Sequence, residues 1–164
     1  METIRHTIDI DCSPRALYEY IAQPWRWHEW HPNSKPAQGR QTELSKGDTF
    51  EEVYEIRALP FLPLTLRRLL QWRVVEESPY TYWEIEATTK DGLINIAYNY
   101  EPAGDAVRFT RTVKFSLTGI TRLLSSLLKK RNTEMSEVAL ANMKRVMETN
   151  AQRPKRQPGG DRRR

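Results

Sequence analysis

Residues 66–117 read LRRLLQWRVVEESPYTYWEIEATTKDGLINIAYNYEPAGDAVRFTRTVKFSL. Four alternating runs, Leu66–Glu77, Tyr80–Ala87, Leu93–Glu101 and Val107–Leu117, are divided by Ser78-Pro79, Asp91-Gly92 and Gly104-Asp105. Successive side chains of a strand point to opposite faces, so a period of two marks half-buried strands. The connections are too short for the crossover that a parallel pair needs, and the runs are predicted to fold as antiparallel hairpins. Working outward, Gly47-Asp48 precedes a further strand at Thr49–Ile56, and a weaker one is expected within Lys35–Leu44.

Upstream, Thr3 to Ile10 alternates, with Ile4, Ile8 and Ile10 on one face. Ser13 then offers a helix cap and Pro14 a first helical position, for a helix through Ala22 with Leu17, Tyr18 and Ile21 as its apolar stripe. Pro24 ends that helix and opens Pro-Trp-Arg-Trp-His-Glu-Trp-His-Pro, residues 24–32, predicted as a second short helix stopped by Pro32. Downstream, one long helix is predicted from Ile120 to Thr149. Its apolar positions, among them Leu123, Leu127, Met135, Val138, Ala139, Met143, Val146 and Met147, recur at spacings of three and four. At 1.5 Å per residue it would be about 45 Å long, enough to cross a small sheet. The expected class is α+β: a strand, two short helices, antiparallel strands, and a C-terminal helix that a strongly curved sheet could wrap.

A chain of 164 residues, 38% hydrophobic and 29% charged, suits one water-soluble domain with a proper core. That domain is placed at residues 1–150. Cys12 is the sole cysteine, which excludes an internal disulfide and a thiolate metal cluster. The N-terminal residues lack a secretory apolar run, and no run reaches the roughly 20 residues of a spanning helix, so a cytoplasmic location is expected. The net charge of +5 belongs to the C-terminal end. Residues 151–164 hold six Lys/Arg and one Asp, leaving 20 basic and 20 acidic residues before them. A neutral body with a disordered basic tail argues against specific nucleic-acid binding, which uses a basic face.

Several polar residues fall on otherwise apolar strand faces. Glu52 lies among Phe50, Tyr54 and Ile56, and Arg68 among Leu66, Leu70, Trp72 and Val74. Arg111 lies among Val107, Phe109, Val113, Phe115 and Leu117, and His6 between Ile4 and Ile8. Two readings stay open. In one, Arg68 and Arg111 clamp a carboxylate or phosphate while Glu52 orients them and His6 serves as an acid or base. In the other, Glu52 simply pairs with an arginine, or these groups sit at strand ends and reach water, or a bulge shifts a face by one residue. His28 and His31 are three apart without a third ligand at a metal-site spacing, so neither metal nor cofactor is predicted. No Ser/His/Asp or Cys/His nucleophile and no phosphate-cradling glycine loop is present in the sequence pattern. Leu59–Leu66, with Phe61 and Leu62 between two prolines, is expected to pack against the helix, the alternatives being a cavity lid or, with the basic tail, a weak contact for a membrane surface.

Three phrases carry a family resemblance. Ile8-Asp9-Ile10-Asp11-Cys12-Ser13-Pro14 leads into the first helix through Ile21, residues 23–32 place tryptophans before a proline-bearing loop, and Trp72-Arg73-Val74-Val75-Glu76-Glu77-Ser78-Pro79 closes a strand on a turn. With the element order over residues 2–148, these resemble the START-related, pollen-allergen-like superfamily in its polyketide cyclase/dehydrase branch. The resemblance implies a helix-grip fold, a seven-stranded antiparallel sheet around the C-terminal helix with a cavity between them. It implies a small hydrophobic or amphipathic ligand such as a lipid, quinone or polyketide. The strands of this sequence offer Glu52, Tyr54, Arg68, Trp72, Tyr98 and Arg111 to surround it. Binding is favoured over catalysis. A cyclase or dehydrase would use Glu52, Tyr54, Tyr98 or His6 as its acid/base, and a chaperone-activator-like interaction protein would have little cavity.

Overall fold

The computed structural model describes residues 1–36, 44–57, 65–89, 92–118 and 125–152. In chain order these form β1 (Glu2–Ile10), α1 (Pro14–Ile21), a 3-10 segment (Pro24–Glu29), β2 (Thr49–Arg57), β3 (Thr65–Ser78), β4 (Tyr82–Thr89), β5 (Gly92–Ala103), β6 (Ala106–Leu117) and α2 (Ser125–Gln152). The strands make one antiparallel sheet in the order β1-β6-β5-β4-β3-β2. From β2 to β6 each strand pairs with its sequence neighbour, as the short connections require. Only β1 pairs at long range, laying Glu2–Ile10 against Phe115–Val107.

Six strands are present among the described residues rather than seven. The weaker strand expected within Lys35–Leu44 falls largely on residues 37–43, outside the described residues, and just before it Ser34 makes an isolated bridge to Tyr54. Phe61, Leu62 and residues 153–164 also lie outside them. Among the described residues no helix is long and apolar enough to cross a membrane.

Local chemistry explains the boundaries. Ser13 caps α1, its side chain accepting the Ala16 N–H at 3.2 Å, and Pro14 occupies the first turn, where its missing donor costs nothing. The tryptophan-rich stretch winds as a 3-10 segment instead of an α-helix and ends at Trp30, before Pro32. At the β3–β4 connection, Thr81 N–H donates to Ser78 C=O at 3.0 Å, with Tyr80 at φ 65°. A side chain in this left-handed region carries strain, and the Tyr80 ring is held there edge-on to Tyr18 at 5.5 Å and beneath the Arg15 guanidinium at 5.7 Å. Gly104 supplies the same backbone sign, φ 65°, in the β5–β6 turn. Between Val74 and Glu76 the pairing with β4 shifts by one residue, a bulge at Val75. Bulges increase strand bending and twist, and this one lies just past the buried run Leu70, Trp72 and Val74.

One face of the sheet packs on α1, the 3-10 segment and α2. The buried stripe of α2 is Ser136, Ala139, Leu140, Met143 and Met147, and the helix lies against β1. Val138, expected on that stripe, is 44% exposed, and Leu140, not counted on it, is 3% exposed. At roughly 100° per residue the centre of the stripe lies between Ala139 and Leu140, which turns Val138 to the far side. Trp27 is the hub of the aromatic core, with its ring edge-on to Trp30, Phe50, Trp72 and Trp83 at centroid distances of 5.4–6.4 Å. Its indole N–H donates to Ile21 C=O at 2.8 Å and so locks the 3-10 segment to the end of α1.

Candidate functional site

A cavity of about 530 Å³ opens between the sheet, residues 27–31 and α2, a size typical of small-molecule sites. Trp27, Trp72, Ile94, Ile96, Val113 and Phe115 give it a mainly apolar wall. Period two explains that wall, because inward positions on adjacent strands fall in register. Trp72 lies opposite Ala87, Ala87 opposite Ile94, and Ile94 opposite Phe115.

Glu52, Tyr54, Arg68, Trp72, Tyr98 and Arg111, the six residues expected around a ligand, all line this cavity. Their settings differ. Glu52 and Arg111 are 4% and 6% exposed, Trp72 and Tyr98 are buried, Tyr54 is half-buried, and Arg68 is exposed near the sheet edge. Glu52 Oε2 accepts the Trp72 indole N–H at 2.9 Å. Arg111 Nη1 donates to Ser136 Oγ at 2.8 Å, its guanidinium sits 6.0 Å from the Tyr98 ring centre, and its Nε is buried with no hydrogen-bond partner. The internal Glu52–arginine pair envisaged from the sequence is therefore not formed with Arg111. Glu52 feels that charge without touching it.

Burial shifts the ionisable groups around Arg111. It pushes the Glu52 carboxyl up, against the neighbouring Ser34 hydroxyl, the Trp72 indole and the positive charge of Arg111. It likewise raises the hydroxyls of Tyr54 and Tyr98. His31, 7% exposed, is pushed down to about 3, first by burial and then by Arg111. Its Nδ1 accepts the Asn33 N–H at 3.4 Å, an assignment that places the proton of the neutral ring on Nε2.

This depressed histidine has a measurable consequence. The unfolded chain binds a proton at His31 below about pH 6.5, whereas the folded protein keeps the ring neutral down to about 3. More protons on the unfolded state mean that stability falls as pH falls through this window. Relative to His31→Asn, the wild-type protein should lose roughly 2 kcal/mol between pH 7 and pH 5, at about 1.4 kcal/mol per pH unit below 6.5. Urea midpoints of both proteins at the two pH values check it, and parallel losses would refute it.

His6 does not reach the cavity. It sits on β1 opposite Arg111, half-buried, with Nε2 enclosed and unpartnered. Because α2 lies on β1, the apolar face of this edge strand is covered by helix and not left open to the cavity. His28 is exposed and bonds through Nδ1 to Trp25 O at 2.9 Å, while His31 is buried, so the two histidines have separate environments. Sequence reasoning missed Trp30, His31 and Ser136 as cavity residues. The signal for Ser136 was available, since it stands three residues before Ala139 and seven before Met143, on the same helical face. His31 follows the 3-10 segment, where no periodicity assigns a direction.

The comparisons with known proteins agree with this fold. The family model for "Polyketide cyclase / dehydrase and lipid transport" matches residues 1–148. Among solved structures, TTHA0849 from Thermus thermophilus superposes with a TM-score of 0.69 at 16% identity, over 93% of this chain and all of that one. The di-domain ARO/CYC StfQ from the steffimycin biosynthetic pathway gives 0.70 at 12% identity, over 91% of this chain and 51% of that one. Ara h 8.0201 gives 0.63 at 9% identity, over 91% and 99%. These identities speak for the fold alone. No curated protein matches the sequence. The model match extends over nearly the whole chain: the chain belongs to the polyketide cyclase/dehydrase and lipid transport family.

Proposed function

We propose that the protein binds one small hydrophobic or amphipathic molecule, of lipid, quinone or polyketide type, between its sheet and C-terminal helix. Residues 1–150 act as the single binding domain, and Glu52, Tyr54, Arg68, Trp72, Tyr98 and Arg111 contact the ligand. The observation that carries this is the cavity itself, about 530 Å³ with an apolar wall and a convergent cluster of buried polar groups. An interaction protein with a filled interior has no use for such a space. Three tryptophans, Trp27, Trp30 and Trp72, line it, so occupancy should change their emission. Titration with a fatty acid, a short-chain quinone and an aromatic polyketide is expected to give a saturable change with at least one of them, and native mass spectrometry a one-to-one adduct. A flat response to all three, with no co-purifying mass, would remove the proposal.

One observation favours a second reading. Glu52 is a buried acid whose neutral form is favoured, beside Trp72 and within the field of Arg111, which is the setting of a general acid. Cyclase or dehydrase turnover that disappears in Glu52→Gln while ligand still quenches tryptophan emission would establish it, and no turnover on an aromatic polyketide would dismiss it.

A further inference from the structure

The polar end of the cavity is unbalanced in a way that specifies a ligand. Arg111 is 6% exposed, donates to Ser136 Oγ, and keeps an Nε without a partner. Among the described residues no carboxylate stands in ion-pair contact with it. A buried cation without a counter-ion in contact is costly unless something else supplies the charge. Its neighbours add donors. Trp30 lines the cavity with its indole N–H unpartnered. The Tyr54 hydroxyl accepts from Asn33 Nδ2 at 3.0 Å, which leaves its own proton to give. His31 accepts at Nδ1 and so carries its proton on Nε2. Against these donors stands Glu52, already engaged by Trp72 and driven by burial toward its neutral form.

Resting on the cavity-binding reading above, we infer that the ligand is an amphipathic carboxylate whose headgroup sits against Arg111 and whose apolar body lies along Trp72, Ile94, Ile96 and Phe115. The carboxylate matches the guanidinium fork and brings the acceptors the site lacks. A phosphate monoester fits less well. It carries about −1.5 to −2 charges, more than the Arg111 guanidinium balances. A neutral alcohol or ester of the same chain keeps the apolar contacts and leaves Arg111 without an anion.

The experiment compares dodecanoic acid, dodecanol and dodecyl phosphate at pH 7 by tryptophan emission on the full chain. The acid is expected to bind at least about tenfold more tightly than the alcohol, the ratio a charge-assisted hydrogen bond provides, and more tightly than the phosphate. Arg111→Met should bring the acid-to-alcohol ratio toward one, and Arg111→Lys should retain part of it, with near-ultraviolet circular dichroism confirming the fold of both. If Arg111→Met does not fold, the wild-type ratio decides alone. Equal wild-type binding of acid and alcohol overturns the headgroup assignment and leaves the cavity reading standing. Tighter binding of the phosphate overturns the carboxylate class. Failure of all three to bind overturns the assignment, whereas the broader cavity reading falls only if the quinone and polyketide fail as well.

Discussion

Trp27→Ala is expected to lower the unfolding free energy by about 3–5 kcal/mol, the range for deleting a buried aromatic side chain. The position combines three losses. The ring is 3% exposed, so its removal leaves a large hole. It meets four aromatic rings edge-on, and such pairs contribute about 0.5–1.5 kcal/mol each beyond area burial. The Ile21 carbonyl also loses its indole donor at the junction of α1 and the 3-10 segment. Against a total of about 5–15 kcal/mol for a typical domain, this is a major fraction. Trp25→Ala, two residues away and only half-buried, makes the internal control, with an expected cost well under half as large. Urea unfolding followed by far-ultraviolet circular dichroism measures both. Equal losses would show that Trp27 is not the hub.

A comparable effect is expected from Met143→Lys. Met143 is fully buried on the stripe by which α2 meets the rest of the fold. An ammonium at that point has no paired carboxylate, and an unpaired buried charge costs several kcal/mol. The lysine stem can reach water only if the helix lifts, so local undocking should relieve the penalty before global unfolding does. Amide exchange should therefore accelerate along α2 and β1 more than in the β4–β5 hairpin. Val138→Lys, on the exposed side of the same helix, should stay within about 0.5 kcal/mol of the wild type. Should the two lysine variants behave alike, the assignment of the buried face is wrong.

The elements legible in the sequence were those with a strong local signal. Ser13-Pro14 announced α1, and Ser78-Pro79 and Gly104-Asp105 announced turns, because proline and glycine restrict or free the backbone wherever they stand. The strand faces were equally legible, since a period of two tolerates no drift, and it placed Glu52 and Arg111 on the same apolar faces as Phe50 and Phe115. Helical phase was harder. Val138 and Leu140 are both apolar, and only the packing of α2 on β1 decides which is inside. His6 obeyed the same period as Arg111 but lies on an edge strand under the helix, so a correct face still led to a wrong site. Trp30 and His31 owe their places to the 3-10 segment and the Asn33 hydrogen bonds, which no repeat in the sequence encodes.

The sheet order carries a consequence for the time course of folding. From β2 to β6 every pairing joins neighbours along the chain and closes a short loop. The pairing of β1 with β6 instead joins Glu2 to Phe115. Loop closure becomes more costly as the intervening chain lengthens, and distant pairings slow folding. Strand β1, although it precedes the β2–β6 meander in the chain, is therefore the one that waits. It can take its place only after Leu117 has emerged, and α2, which rests on it, must follow. During synthesis the meander from β2 to β6 can assemble alone, with its β6 edge open, and the cavity acquires its last wall as the final step.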